Sequence, residues 1–212
     1  MIKLIEHIFP VSFQLKLRRW KRAIYNPVVI NRWARKGRPL PPPHEVKQAL
    51  IGDFKLKYGF QVWIETGTYM GTMVEAQLFN FKKIFSIEIY RPFYERAVLR
   101  FKAFPHVTIL NGDSSFLLPE LINKIDEPII FWLDGHYSGT GTGQGTNLCP
   151  VIDEIKAILS NKMLHVVLID DARLFNGTDG YPQLNEFLQL VQSRRNDYAH
   201  EIKNDVICFF PK

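Results

Sequence analysis

Acidic residues stand at the ends of successive apolar runs in this sequence. Glu65 follows Val62-Trp63-Ile64, Glu88 closes the run from Lys83, and Asp113 comes shortly after His106–Leu110. Asp134 follows Pro128–Leu133, and Asp170 with Asp171 follows His165–Ile169. One such acid could be an ordinary helix cap. Six gathered on one sheet edge would repel one another, so their recurrence calls for a ligand. If Asp134, Asp170 and Asp171 converge, they form a hard, all-oxygen donor set suited to Mg²⁺, completed by waters and substrate oxygens.

A second stretch with chemical content is Gln61-Val-Trp-Ile-Glu-Thr-Gly-Thr-Tyr-Met-Gly71. Val62 to Ile64 reads as a buried strand, Gly67 to Gly71 as a turn, and Thr72 to Phe79 as a helix. That succession aims backbone N–H groups and a positive helix end at a nucleotide-like ligand, with Thr66, Gly67, Thr68 and Gly71 in the turn. Glu65 would repel a pyrophosphate and suits a cationic amino-acid headgroup better. Glu88 lies 23 residues beyond Glu65, near the spacing at which an acid holds ribose hydroxyls in the dinucleotide folds. The segment Asn111-Gly112-Asp113-Ser114 opens a helix, so Asp113 is either an N-cap or, with Gly112 and Ser114, a contact to the base.

These sites need a scaffold, and the chain supplies one by alternation. Strands are predicted at Val62–Ile64, Lys83–Ile89, His106–Leu110, Pro128–Leu133 and His165–Ile169. Helices are predicted at Thr72–Phe79, Pro92–Phe104, Ser115–Ile125, Pro150–Ser160 and Pro182–Gln192. Tyr198–Lys203 and Asp205–Phe210 read as a closing hairpin. Continuous apolar strands alternating with helices predict a doubly wound α/β fold, its mostly parallel sheet covered by helices on both faces and finished by a late antiparallel strand. In such sheets, ligands bind outside the carboxyl ends of the strands, where the acids fall.

Two motifs carry a family resemblance. Glu65-x-Gly67-x-x-x-Gly71 resembles the first motif of class I S-adenosylmethionine-dependent methyltransferases. Leu133-Asp-Gly-His-Tyr-Ser138 followed by Ile169-Asp-Asp171 resembles the metal-dependent sugar O-methyltransferases of the macrocin O-methyltransferase type, over roughly residues 58–212. The resemblance implies a Rossmann-like methyltransferase fold. It implies S-adenosylmethionine held by Glu65, Glu88, Asp113 and Asp134, and Mg²⁺ held by Asp134, Asp170 and Asp171. It also implies a small-molecule or glycan acceptor. The family's catalytic acid two residues beyond the first metal ligand is replaced here by His136. A histidine titrates near working pH and suits a general base, although a metal ligand or a solvated loop residue is the alternative. The glycine-rich Ser138–Asn147 reads as a loop closing over substrate, because no Gly-Lys-Ser/Thr follows to make it a P-loop. Arg173 either meets an anionic substrate group or balances the carboxylates, and Tyr69, Tyr137 and Trp132 are candidate pocket walls.

Composition narrows the remaining classes. In 212 residues with 46% hydrophobic content, one α/β domain with an extension is expected. Residues 1–57 carry 13 Lys/Arg against three acids, +10, and residues 58–212 carry 14 against 18, −4. The basic character therefore belongs to an N-terminal extension, residues 1–43, ending in the stiff linker Gly37–Pro43. The methyltransferase domain is expected over 44–212. Its own balance argues against a nucleic-acid substrate. From Phe13 the apolar positions Phe13, Leu17, Trp20 and Ile24 alternate with cations at helical spacing. Such a helix suits either peripheral contact of residues 1–25 with an anionic membrane, bringing a lipid-linked acceptor within reach, or packing on the domain. Cys149 and Cys208 have no metal-type spacing, which fits a reducing cytoplasm, at the inner membrane surface if the helix binds there. A homo-oligomer is compatible with all of this. A non-catalytic module on the same fold is a competing reading, as is a nicotinamide-dependent oxidoreductase. The latter is disfavoured by the missing third glycine of its fingerprint and by Glu65.

Overall fold

The structure, a computed structural model, describes residues 10–135 and 149–212. Seven strands form one sheet in the order β3-β2-β1-β4-β5-β7-β6. They are β1 (Val62–Thr66), β2 (Lys83–Glu88), β3 (Val107–Asn111), β4 (Ile129–Leu133), β5 (Val166–Ile169), β6 (Tyr198–Lys203) and β7 (Val206–Pro211). The first five are parallel, β7 runs antiparallel to β5, and β6 pairs antiparallel with β7. The predicted fold class is therefore the observed one.

The central strands β1, β4 and β5 are buried on both faces, and alternate residues enter two separate cores. Val62, Ile64, Phe131, Leu133, Val167 and Ile169 face one core with α5 (Ser114–Ile122), α6 (Val151–Ser160) and α7 (Leu184–Arg194). Trp63, Ile130, Trp132, Leu168 and Cys208 face the other, with α2 (His44–Tyr58), α3 (Thr72–Gln77) and α4 (Arg91–Phe101). Trp132 is thus a core residue and not a pocket wall, because the pleat of β4 turns it inward beside Ile130.

The chain winds from β1 outward to β3, then returns to add β4 on the other side of β1. Thr66 and Leu133, the last residues of β1 and β4, are register partners at this reversal. At such a reversal the ligand crevice of a doubly wound sheet lies above the carboxyl ends of the strands.

The N-terminal segment is helical from Val11, as the spacing from Phe13 predicts, and runs further than Tyr25. Helix α1 (Val11–Arg35) is 25 residues long and continues through Pro27. Its expected apolar stripe faces solvent: Phe13, Trp20 and Ile24 are 47%, 61% and 57% exposed, while Leu15 enters the core. The helix is seated by polar contacts on its other side. Arg18 and Arg22 pair with Glu75 of α3, the Arg19 guanidinium lies over the Phe79 ring, and Asn26 Nδ2 donates to Gln48 Oε1 at 3.0 Å. A buried carboxylate needs cations more than it needs apolar cover, which sets which face of α1 turns inward. Among the described residues no helix is long and apolar enough to cross a membrane.

Candidate active site

The crevice is floored by the turn after β1. Gly67 and Gly71 both adopt positive φ, +84° and +69°, where L side chains are strained. A Cβ on Gly67 would lie 2.3 Å from the Asp134 carbonyl oxygen, so the glycine lets the turn pass against the end of β4. Gly71 is the N-cap of α3.

Burial decides how the predicted turn residues act. The Glu65 side chain is enclosed and accepts from Ser86 Oγ at 2.5 Å; Ser86 Oγ also lies 2.6 Å from Thr68 Oγ1. Burial, with Asp134 and Glu88 adding repulsion, holds the Glu65 carboxyl well above the usual range. A cationic headgroup in the crevice would bring it back down. Thr66 is fully buried, and its hydroxyl accepts from Asp134 N at 3.3 Å, tying β1 to β4. Thr66 and Thr68 therefore meet a cofactor through the backbone if at all.

At the end of β2, Glu88 accepts from the backbone N–H groups of Tyr69 (2.7 Å) and Tyr90 (2.8 Å). These bonds fix the carboxylate beside the turn, and its remaining lone pairs suit two vicinal hydroxyls. Gly112 N donates to the Glu88 carbonyl at 3.0 Å. Asp113 takes the capping role: Oδ1 accepts from Ser115 N at 2.9 Å and from Ser115 Oγ at 2.7 Å. Ser114 is buried and bonded to Glu154, so the base contact expected of Asp113 and Ser114 has no free side chain behind it in Ser114.

Across the reversal, one oxygen each of Asp134, Asp170 and Asp171 lies within 4.8 Å of the others. Asp170 and Asp171 are buried. Asp171 holds left-handed backbone at φ 57° and ψ 47°, a conformation that Asp tolerates and that re-aims its carboxylate after β5. Its N–H donates to Asp170 Oδ1 at 2.8 Å. Arg173 balances the cluster, donating to Asp171 Oδ1 at 2.7 Å and pairing with Asp205.

Sequence reasoning missed Lys47. Its Nζ lies 2.6 Å from Asp170 Oδ2 and 3.4 Å from Asp171 Oδ1. Burial alone would lower the Lys47 pKa, but Asp170, Asp171 and Asp134 together raise it. Burial and the repulsion of Asp134 still raise the Asp170 pKa despite that lysine. Among the described residues Lys47 and Arg173 face Asp134, Asp170 and Asp171, two cations against three carboxylates. Oxygen-only donors with a cation deficit fit Mg²⁺.

Glu154 of α6 was also missed. It is 1% exposed, bonded through one oxygen to Ser114 and Thr66, with Oε1 unpartnered, and burial pushes it up to about 7. Neither Lys47 nor Glu154 stands in a local motif, and each reaches the site only because its helix packs there. His136, Tyr137 and the glycine-rich Ser138–Asn147 lie outside the described residues.

This architecture is shared with known methyltransferase structures. The O-methyltransferase of Bacillus cereus, solved with S-adenosylhomocysteine, superposes with a TM-score of 0.58 at 13% identity, over 88% of this chain and 90% of that one. The O-methyltransferase TomG of Streptomyces achromogenes, solved with S-adenosylmethionine and involved in tomaymycin synthesis, gives 0.57 at 16% identity, over 88% of each chain. An S-adenosylhomocysteine-bound methyltransferase of Podospora anserina gives 0.55 at 15% identity, over 87% of each. No protein-family model matches the sequence, and neither does any curated protein. At these identities the likeness defines the fold: the chain has the Rossmann-like fold of the class I methyltransferases.

Proposed function

We propose that the protein is an S-adenosylmethionine-dependent O-methyltransferase that acts with a divalent cation on a sugar or glycan hydroxyl. The observation that carries this reading is the convergence of Asp134, Asp170 and Asp171 beside the Gly67–Gly71 turn, at the reversal of a methyltransferase sheet. The fold neighbours bound to S-adenosylmethionine or its product support the choice of cofactor. The sugar acceptor rests on the resemblance of the Asp134 and Asp170-Asp171 motifs.

In this reading Glu65 faces the cationic headgroup of the methyl donor, and Glu88 accepts from its ribose hydroxyls. Asp134, Asp170 and Asp171 would hold Mg²⁺, which when bound supplies the charge that eases loss of the acceptor hydroxyl's proton. The three carboxylates orient the acceptor oxygen, and His136 is the candidate to take its proton. S-adenosylmethionine supplies an activated methyl group, so alignment contributes much of the rate.

Calorimetric titration with S-adenosylhomocysteine and with Mg²⁺ tests the reading, using the protein and its Asp170→Asn variant. The expected outcome is binding of both ligands, with Mg²⁺ binding lost in the variant and S-adenosylhomocysteine binding kept. Failure of S-adenosylhomocysteine to bind would defeat the assignment. Mg²⁺ binding undiminished in the variant would remove the metal from this cluster.

A further inference from the structure

Between α1 and the domain lies a cavity of about 690 Å³, in the size range of small-molecule sites. Its lining is unlike the acidic cluster. Arg18, Lys21, Arg22 and Arg100 face Glu45 and Glu75, four cations against two carboxylates, net +2. Three of the cations converge on one acid: Arg22 Nη1 donates to Glu75 Oε1 at 2.6 Å, Arg18 Nη1 lies 3.3 Å from Oε2, and Arg100 pairs with the same oxygen. Glu75 is the acid these guanidiniums share, and the exposed Lys21 adds an ammonium beside them. Arginines are the side chains best shaped to bind phosphate oxygens in pairs.

The cavity's position ties it to the proposed reaction. Thr72, the first residue after the Gly67–Gly71 turn, lines it at one side, and Arg100 donates to the Met70 carbonyl in that turn. His44 lines it at another side and stands three residues before Lys47, whose ammonium meets Asp170 and Asp171. Three residues of helix rise by about 4.5 Å. The His44 ring is within electrostatic reach of both Arg22 and Asp134, so the cavity and the carboxylate cluster adjoin, and one acceptor can span them. Trp20 and Tyr25, about 60% exposed, flank the opening with apolar surface.

We propose that this cavity binds a phosphoryl group of the acceptor, so that the substrate is a phosphate-bearing sugar, either soluble or presented as a lipid headgroup. The proposal rests on the methyltransferase reading of the neighbouring site. The acidic end positions the reacting hydroxyl, and the basic end holds the phosphate and rejects neutral sugars.

The test is calorimetry on the full chain loaded with S-adenosylhomocysteine, with uridine diphosphate glucose and glucose as soluble probes. Co-sedimentation with vesicles of phosphatidylglycerol in phosphatidylcholine, against phosphatidylcholine alone, covers the lipid source. The variants are Arg22→Gln, within the arginine cluster, and Lys21→Glu, which reverses an exposed charge without touching Glu75. Binding of the phosphorylated probe or of the anionic vesicles is expected, falling with added salt and weakening about tenfold in Lys21→Glu. S-adenosylhomocysteine affinity should stay unchanged in that variant. Equal binding of glucose and uridine diphosphate glucose would overturn the proposal, as would no binding in either arm. A loss of S-adenosylhomocysteine affinity in Lys21→Glu would also overturn it, assigning the cations to the cofactor's carboxylate. S-adenosylhomocysteine binding without any phosphate binding defeats this proposal alone, whereas loss of both defeats the reading beneath it.

Discussion

At the scale of single residues, Lys47 sets the terms of the carboxylate cluster. Its ammonium occupies oxygens of Asp170 and Asp171 that a divalent cation would need, so the two compete. Lys47→Met should tighten Mg²⁺ binding about tenfold, equivalent to about 1.4 kcal/mol, and should lower the melting temperature when Mg²⁺ is withheld. Melting curves across a Mg²⁺ series read both effects, and unchanged affinity would show that the lysine and the metal do not share oxygens. Two further buried groups give stability opposite slopes with pH. The Glu154 pKa is raised to about 7, so its contribution is complete below the unfolded carboxyl range and is lost as pH rises through about 7. The His165 pKa is lowered to about 4 by burial, its Nδ1 accepting from Ile129 N at 3.1 Å. Its contribution is complete above the unfolded histidine range and is lost as pH falls toward about 4. Each effect is on the order of 3 kcal/mol at most, and between the unfolded pKa values of the two groups they oppose each other. Glu154→Gln should remove the alkaline loss and leave only the acid one. Denaturant unfolding of the variant and parent at pH ~5 and ~8 checks this; parallel pH profiles would mean Glu154 is ionised in the fold.

At the scale of elements, the strands and helices of residues 62–212 were legible because the central strands are apolar runs with polar ends, and helical patterns alternate with them. Boundaries moved by a few residues, and Asp113 resolved into a helix cap through its bonds to Ser115. The convergence of Asp134, Asp170 and Asp171 was legible too, since strand ends of one parallel sheet must share an edge. The seating of helix α1 was not. The helix's apolar stripe suited either an anionic membrane or packing on the domain, and a distant acid in α3 sets which face turns inward. Nothing in the sequence around Glu75 marks it as a buried anchor. That anchor makes a prediction of its own. Glu75→Gln keeps the shape but removes the carboxylate that Arg18, Arg22 and Arg100 share. Because Arg18 is 44% exposed and can rehydrate, the expected cost is about 2 kcal/mol, below that of a wholly buried pair. Release of α1 should appear as faster tryptic cleavage at Lys16 to Arg22. Cleavage at the parent rate would mean that Leu15 and the contacts toward α2 seat the helix without Glu75.

At the scale of the whole molecule, charge is divided between two parts that meet over the crevice. Residues 1–57 hold +10 and residues 58–212 hold −4, and the cavity lies where α1 faces α2 and α3. Among the described residues both core clusters come from beyond residue 44, apart from Leu15. The sheet, the Gly67–Gly71 turn and the carboxylate cluster therefore have what they need to form without α1. The basic wall of the cavity does not, since Arg18, Lys21 and Arg22 leave with the helix. A chain beginning at His44 should unfold cooperatively at a lower temperature than the full chain. It should bind S-adenosylhomocysteine within about twofold of the full chain's affinity and should lose uridine diphosphate glucose binding. Near-ultraviolet circular dichroism establishes whether the shortened chain is folded, and calorimetry with the two ligands separates the outcomes. A folded truncation that loses S-adenosylhomocysteine would make α1 part of the cofactor site. One that keeps uridine diphosphate glucose would move phosphate recognition off α1 and onto the domain itself.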